Sequence, residues 1–211
     1  MMNVEEHFMP FIKALESGIK EENWILSVMC ACTLPDICTS LEGKRGNANY
    51  IKWFNNYVKE YQPTLSRRKG YIAKTLVEWI NRPPLKPEDI ELHTHVFFSG
   101  VNAYALRCAF LHDGNGNLSS QDVQSGTGKY EKYKDQILNI ENVELKNDPN
   151  LIFHQVGKTV YINPEKYCIA IITGVSNWIE KINGFKDSDR PSDQRVYSIV
   201  QENASKLLML K

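Results

Sequence analysis

The stretch Val101-Asn102-Ala103-Tyr104-Ala105-Leu106-Arg107-Cys108-Ala109-Phe110-Leu111, followed by His112-Asp113-Gly114, decides the fold. It is apolar nearly all round, and a helix of that kind is normally surrounded by other helices. Arg107 is the only charged residue between Val96 and Leu111. An ionised guanidinium there is costly unless it is paired or faces a cavity. His112 falls at the end of the same helix. On a regular helix, five positions at about 100° each set Arg107 and His112 roughly 140° apart.

Upstream, helical periodicity dominates. Phe8, Phe11, Ile12, Leu15 and Ile19 share one face of a first helix, weakened near its end by Gly18. Trp24, Ile25, Val28, Met29, Cys32, Ile37, Cys38 and Leu41 stripe a second, in which Pro35 is expected to place a kink. Gly43-Lys44-Arg45-Gly46 reads as a loop. A third helix is expected from about Asn49 to Tyr61, and a fourth from Arg68 to Asn81, stopped by Arg82-Pro83-Pro84-Leu85-Lys86-Pro87. The helical region holding the central stretch is expected to begin at Glu88, with a break near Ser99-Gly100.

Downstream, the pattern changes. Gln136–Leu145 and Leu151–Ile162 alternate and carry Ile, Val, Phe and Tyr, which predicts a small antiparallel β meander turning at Val156-Gly157-Lys158. Asn163-Pro164-Glu165 caps and opens a helix with Cys168, Ile171, Ile172, Val175, Ile179 and Ile182 inward. Asp189-Arg190-Pro191 opens a last one, with Val196, Ile199, Val200, Ala204 and Leu207 inward. The expectation is a mainly α protein, a helical bundle with the meander inserted before the C-terminal helices. It forms a single domain over 1–211: helical core about 5–113, loop 114–130, meander and C-terminal helices 131–211.

With 42% hydrophobic and 24% charged residues in 211, the composition is globular, which excludes disorder and collagen. No apolar run is read as approaching the roughly 18–20 residues of a membrane span, and Met1-Met2-Asn3-Val4-Glu5-Glu6 lacks a basic leader, so the expected location is cytoplasmic. Five cysteines, an odd number, read as reduced and mostly buried thiols. Net charge is zero but uneven: residues 1–43 carry −5, residues 44–74 carry +7 and the rest −2. The basic block either meets a polyanion or balances the acidic N-terminal helices.

Other site chemistries are weaker. His93 and His95 with His112, or Cys30 and Cys32 with Cys38, are poor metal sets: i and i+2 point apart on a helix, and no paired Cys-x-x-Cys spacing occurs. No metal or cofactor is expected. Tyr50, Trp53, Phe54 and Tyr57 could stack bases beside Lys52 and Lys59, although a stripe at helical period reads first as core. No Ser-His-Asp order, dinucleotide fingerprint or kinase signature occurs.

Arg107-x-x-x-x-His112 at the end of a buried helix, in an all-helical frame, resembles the HEPN superfamily. Thr33-Leu-Pro-Asp-Ile-Cys38, Tyr50-Ile-Lys-Trp-Phe54 and Tyr104–Gly114 also resemble a bacterial group of uncharacterised proteins with a HEPN-like core. The resemblance covers roughly residues 5–113. It implies a metal-independent endoribonuclease of toxin or defence type, acting as a homodimer whose motif helices meet at one cleft. Its partners would be RNA and an antitoxin or other protein. His112 would then be the acid/base near the 2′-hydroxyl and leaving oxygen, and Arg107 would hold the scissile phosphate. Cys108 stands where many active members carry a polar residue, often Asn. Arg67, Arg68, Lys69 and Lys52 are the expected substrate-binding residues, with Asp36 or Glu42 on the second helix as the acidic support of Arg107. The rival reading is a non-catalytic helical interaction protein, in which an Arg107–carboxylate pair and a His112 helix cap are purely structural.

The basic block is testable directly. If Arg67, Arg68 and Lys69 contact RNA phosphates, replacing all three with Gln lowers single-strand affinity and flattens the logarithmic salt slope by about 2, with thermal unfolding unchanged. Unchanged binding would leave the block as charge balance.

Overall fold

The structure, a computed structural model, describes residues 4–59, 64–67, 92–96, 98–118, 140–148, 153–156 and 158–207. Its elements in chain order are α1 (Val4–Lys20), α2 (Trp24–Leu41), α3 (Asn47–Tyr57), β1 (Thr64–Arg67), β2 (Leu92–His95) and α4 (Gly100–Cys108). There follow β3 (Asn142–Leu145), β4 (Phe153–Val156), β5 (Thr159–Ile162), α5 (Pro164–Gly184) and α6 (Pro191–Ala204). The protein is mainly helical, and one cluster of buried side chains runs from α1 to α6 and takes in Val143, Val160 and Ile162 of the sheet.

Helix α2 lies at the centre of this cluster. It packs most extensively on α5 and also touches α1, α3, α4 and α6. At 18 residues and a mean hydropathy of 1.5, it is long and apolar enough to cross a membrane by length and composition alone. That corrects the expectation that no run approaches such a length; half of this helix is buried inside the protein. The helix continues through Pro35, where the Thr39 hydroxyl donates to the Pro35 carbonyl at 3.0 Å. Helix α1 ends at Lys20, two residues past Gly18; a Cβ at Gly18 would lie 2.5 Å from Ser27 Oγ, so the glycine permits close approach of α2.

The Glu88–Leu111 region is not one helix. Leu92–His95 is a strand paired antiparallel with Thr64–Arg67, in register Thr64 with His95 and Arg67 with Leu92. A short apolar run reads alike as strand or helix, and only a partner distant in sequence decides. The expected break at Ser99-Gly100 is a real helix start. Ser99 Oγ accepts from Asn102 N–H while Asn102 Oδ1 accepts from Ser99 N–H, a reciprocal cap. The Arg68–Asn81 helix lies outside the described residues, as do 119–139, which hold most of the expected loop.

The second sheet has the order β3-β5-β4. β4 and β5 form the expected antiparallel hairpin, Val156 opposite Thr159, but β3 runs parallel to β5, Asn142 opposite Thr159. The sheet is therefore mixed, not an antiparallel meander. Alternation assigns faces to a strand but not its neighbour or its direction. Here the chain leaves β3, crosses to the far edge for β4, and returns between them as β5. The stretch Gly116–Leu118 joins the outer side of β3, with Leu118 N–H donating to the Glu141 carbonyl at 2.7 Å and Val143 N–H to the Gly116 carbonyl at 2.8 Å. A Cβ at Gly116 would lie 1.9 Å from the Val143 carbonyl oxygen, so only glycine fits.

The C-terminal helices open where the sequence reading placed them, but Ile172, Val196, Ile199 and Leu207 are only half-buried, and Leu207 lies beyond the end of α6. Asn163 Oδ1 accepts from Lys166 N–H at 2.9 Å, and Pro164 opens α5. Cys168, Ile171, Val175, Ile179 and Ile182 are buried, joined by Trp178.

The start of α4 is held by close packing on α3. Gly100 N–H donates to Asn55 Oδ1 at 2.7 Å, and a Cβ at Gly100 would lie 2.4 Å from the Ile51 carbonyl oxygen. Gly100→Ala is therefore expected to cost about 1–3 kcal/mol, which calorimetry would read as a Tm lowered by about 2–4 °C per kcal/mol.

Candidate functional site

Two helices that are otherwise nearly uncharged meet at this site. Asp36 is the one charged residue of α2, and Arg107 the one charged residue of α4. Arg107 Nε donates to Asp36 Oδ2 at 2.9 Å, with both side chains half-buried. Nη1 of Arg107 lies 3.9 Å from Cys108 Sγ, and its Cζ sits 5.8 Å from the Tyr104 ring centroid. Burial alone would lower the Arg107 pKa, but Asp36 and Cys108 outweigh it and hold the group above its ordinary value. The guanidinium is permanently charged. Because Asp36 is engaged through Nε, the Nη edge keeps donors for an external anion.

Tyr104 stands edge-on to Tyr50, ring centroids 5.3 Å apart, and the Tyr50 hydroxyl donates to the Cys32 carbonyl at 3.1 Å. Cys32 Sγ lies 3.6 Å from the Tyr167 hydroxyl, which carries the contacts through to α5. The guanidinium thus rests on a packed aromatic shelf. Sequence reading missed Tyr104 as part of the site. The available signal was its place three residues before Arg107, on the same helical face.

His112 is exposed and lies in a widened, π-helical turn, Ala109–Asp113, that continues α4. Gly114, at φ 65°, ends the turn in the left-handed region, and its N–H donates to the Ala109 carbonyl five residues back. A π turn advances fewer degrees per residue than an α turn, which cuts the backbone offset between Arg107 and His112 from roughly 140° to roughly 90°. Single π turns inside α-helices recur at functional sites.

The remaining expected site residues do not gather here. Glu42 closes α2, where its carboxylate accepts from Trp178 Nε1 at 2.7 Å and pairs with Lys44 Nζ at 2.6 Å. It ties α2 to α5 and leaves Asp36 as the acidic support. Lys52 is exposed on α3, and Arg67 closes β1. Arg68 and Lys69 lie outside the described residues. Tyr50, Trp53 and Phe54 are buried core, which excludes them as base-stacking faces. His93 and His95 sit on β2 and not on a helix. Among the described residues, no three His, Cys, Asp or Glu side chains are grouped to hold a metal ion. Cys32, Cys38 and Cys168 are buried, Cys108 is half-buried and Cys30 exposed, all as free thiols.

Compared with known proteins, the chain matches no family model, no curated protein and no solved structure.

Burial, opposed by the Tyr167 hydroxyl, pushes the Cys32 thiol up to about 12. Burial, with Cys32 and Cys30 nearby, pushes Cys168 up to about 12 as well. Unfolded thiols titrate near 9.0, so above that pH the unfolded chain releases protons that the native state retains. The stability contributed by these two thiols is complete below pH 9 and is lost as pH rises through about 12. Urea unfolding from pH 7.5 to about 10.5 should show falling stability. Cys168→Ala should flatten that slope.

Proposed function

We propose that this chain is a HEPN-like RNA-binding protein and a metal-independent endoribonuclease of toxin or defence type, working as a homodimer with the two Arg107–His112 segments facing one another. The observation that carries the reading is the state of Arg107. It is oriented by Asp36 through Nε and touches Cys108 Sγ through one Nη1 hydrogen, which leaves the other Nη hydrogens for an anion, with exposed His112 on the widened turn that follows. In this reading the Arg107 guanidinium holds the scissile phosphate, and His112 moves the proton between the 2′-hydroxyl and the leaving oxygen. The 2′-oxygen attacks phosphorus, the bond to the 5′-oxygen breaks, and a 2′,3′-cyclic phosphate results. A second reading, a non-catalytic helical interaction protein, is favoured by the same ion pair: Asp36 and Arg107 neutralise the only charges of two apolar helices, a sufficient structural role.

The two readings separate on purified protein with unstructured RNA. Catalysis predicts cleavage that survives EDTA, spares DNA and leaves cyclic-phosphate ends. His112→Ala should lower the rate by about 10²–10⁴-fold with the fold intact. Arg107→Lys keeps the charge but loses the planar fork, so it should bind RNA and cleave poorly. Light scattering at micromolar concentration should give a dimer. Equal cleavage by wild type and His112→Ala would place the activity elsewhere, and no cleavage by either would favour the interaction protein.

A further inference from the structure

Helices α1 and α5 enclose a groove of about 530 Å³ that contains none of the residues of the Arg107 cluster. Its floor is aliphatic: Met9 and Ile12 from α1, Ile172 and Ile179 from α5. Ile169, one turn before Ile172 on α5, is 47% exposed and extends this apolar strip. Three exposed carboxylates, Glu5, Glu16 and Glu180, rim the floor, and no Lys or Arg is among the described residues that line it. Glu5, Met9, Ile12 and Glu16 recur every three to four residues along one face of α1, so the acids bracket the apolar pair at both ends. From Glu5 to Glu16, and from Ile172 to Asn183, the rise is about 16 Å, or three helical turns.

We propose that this groove takes a basic amphipathic helix of a partner protein. The apolar stripe of the incoming helix seats on Met9, Ile12, Ile172 and Ile179, and Lys or Arg flanking that stripe meets Glu5, Glu16 and Glu180. The choice of occupant follows from charge. An acidic or neutral helix would leave three carboxylates clustered around a newly dried floor without counter-charge, whereas a basic one neutralises each of them. A three-turn groove also suits anchors at i, i+4, i+7 and i+11, the spacing already present on α1.

The probe is a labelled helical peptide with Leu at those four positions and Lys at the flanking ones, read by fluorescence anisotropy against the full chain. Its counterpart has Glu in place of every Lys. The Lys peptide should bind, more weakly as salt rises, and the Glu peptide should not. Replacing Glu5, Glu16 and Glu180 with Gln together should weaken binding at least about tenfold. Ile172→Ser and Met9→Ser, at half-buried positions packed against the core, should each weaken it; each also lowers the Tm by a few degrees, so binding is read well below the unfolding transition. Three results would overturn the proposal: no binding of the Lys peptide to the wild-type chain, binding unchanged in the carboxylate or the serine variants, or a peptide-free dimer that the same substitutions dissociate. The last would identify the occupant as a second copy of this chain.

Discussion

Helix α2 carries a single charge in an otherwise uncharged length, and the rest of the fold is arranged around burying half of it, with Ile25 and Leu26 of its first turn left exposed. Five other helices touch it. A helix that is apolar all round has no preferred outside, so its neighbours must be supplied on several sides at once. Asp36 is the exception to that surface. Its partner, Arg107, is the equivalent exception on α4, so two isolated charges that would be costly apart are placed against each other where the two helices meet.

That pairing determines what the site can be. A carboxylate that takes the guanidinium through Nε fixes its plane, and Tyr104 supports one face of it. The far edge of the guanidinium keeps its donors. An arginine held in this way is ready for a phosphate or carboxylate without reorganisation, which is what a binding or catalytic role requires and a purely structural one tolerates. The widened turn after Cys108 then carries exposed His112, five residues on from Arg107.

The end of that turn is anchored from outside the bundle. Gly114 reverses the backbone, and Gly116 lies so close to Val143 that the segment becomes an extra edge beside β3. The mixed sheet thereby fixes the exit of the helix that bears both Arg107 and His112. The C-terminal elaboration and the helical core share one packed cluster, and Tyr167 of α5 reaches the buried Cys32 beneath the site.

Local patterns in the sequence were enough to identify α1, α2, α3, α5 and α6, although α3 stops at Tyr57 and not at Tyr61, because the apolar period and capping residues such as Asn163-Pro164 act within a few residues. They also singled out Arg107, since a lone charge on an apolar helix demands a partner wherever that helix packs. Between Asp36 and Glu42 as that partner, only packing could decide: the two lie six residues apart on α2, and the choice depends on how α4 and α5 cross it. Glu42 went to Trp178 and Lys44, and Asp36 to Arg107. The β2 strand, the parallel pairing of β3 with β5 and the π turn were likewise settled by tertiary structure. The two strand pairings depend on a hydrogen-bonding partner distant along the chain, and a local apolar pattern carries no record of that partner.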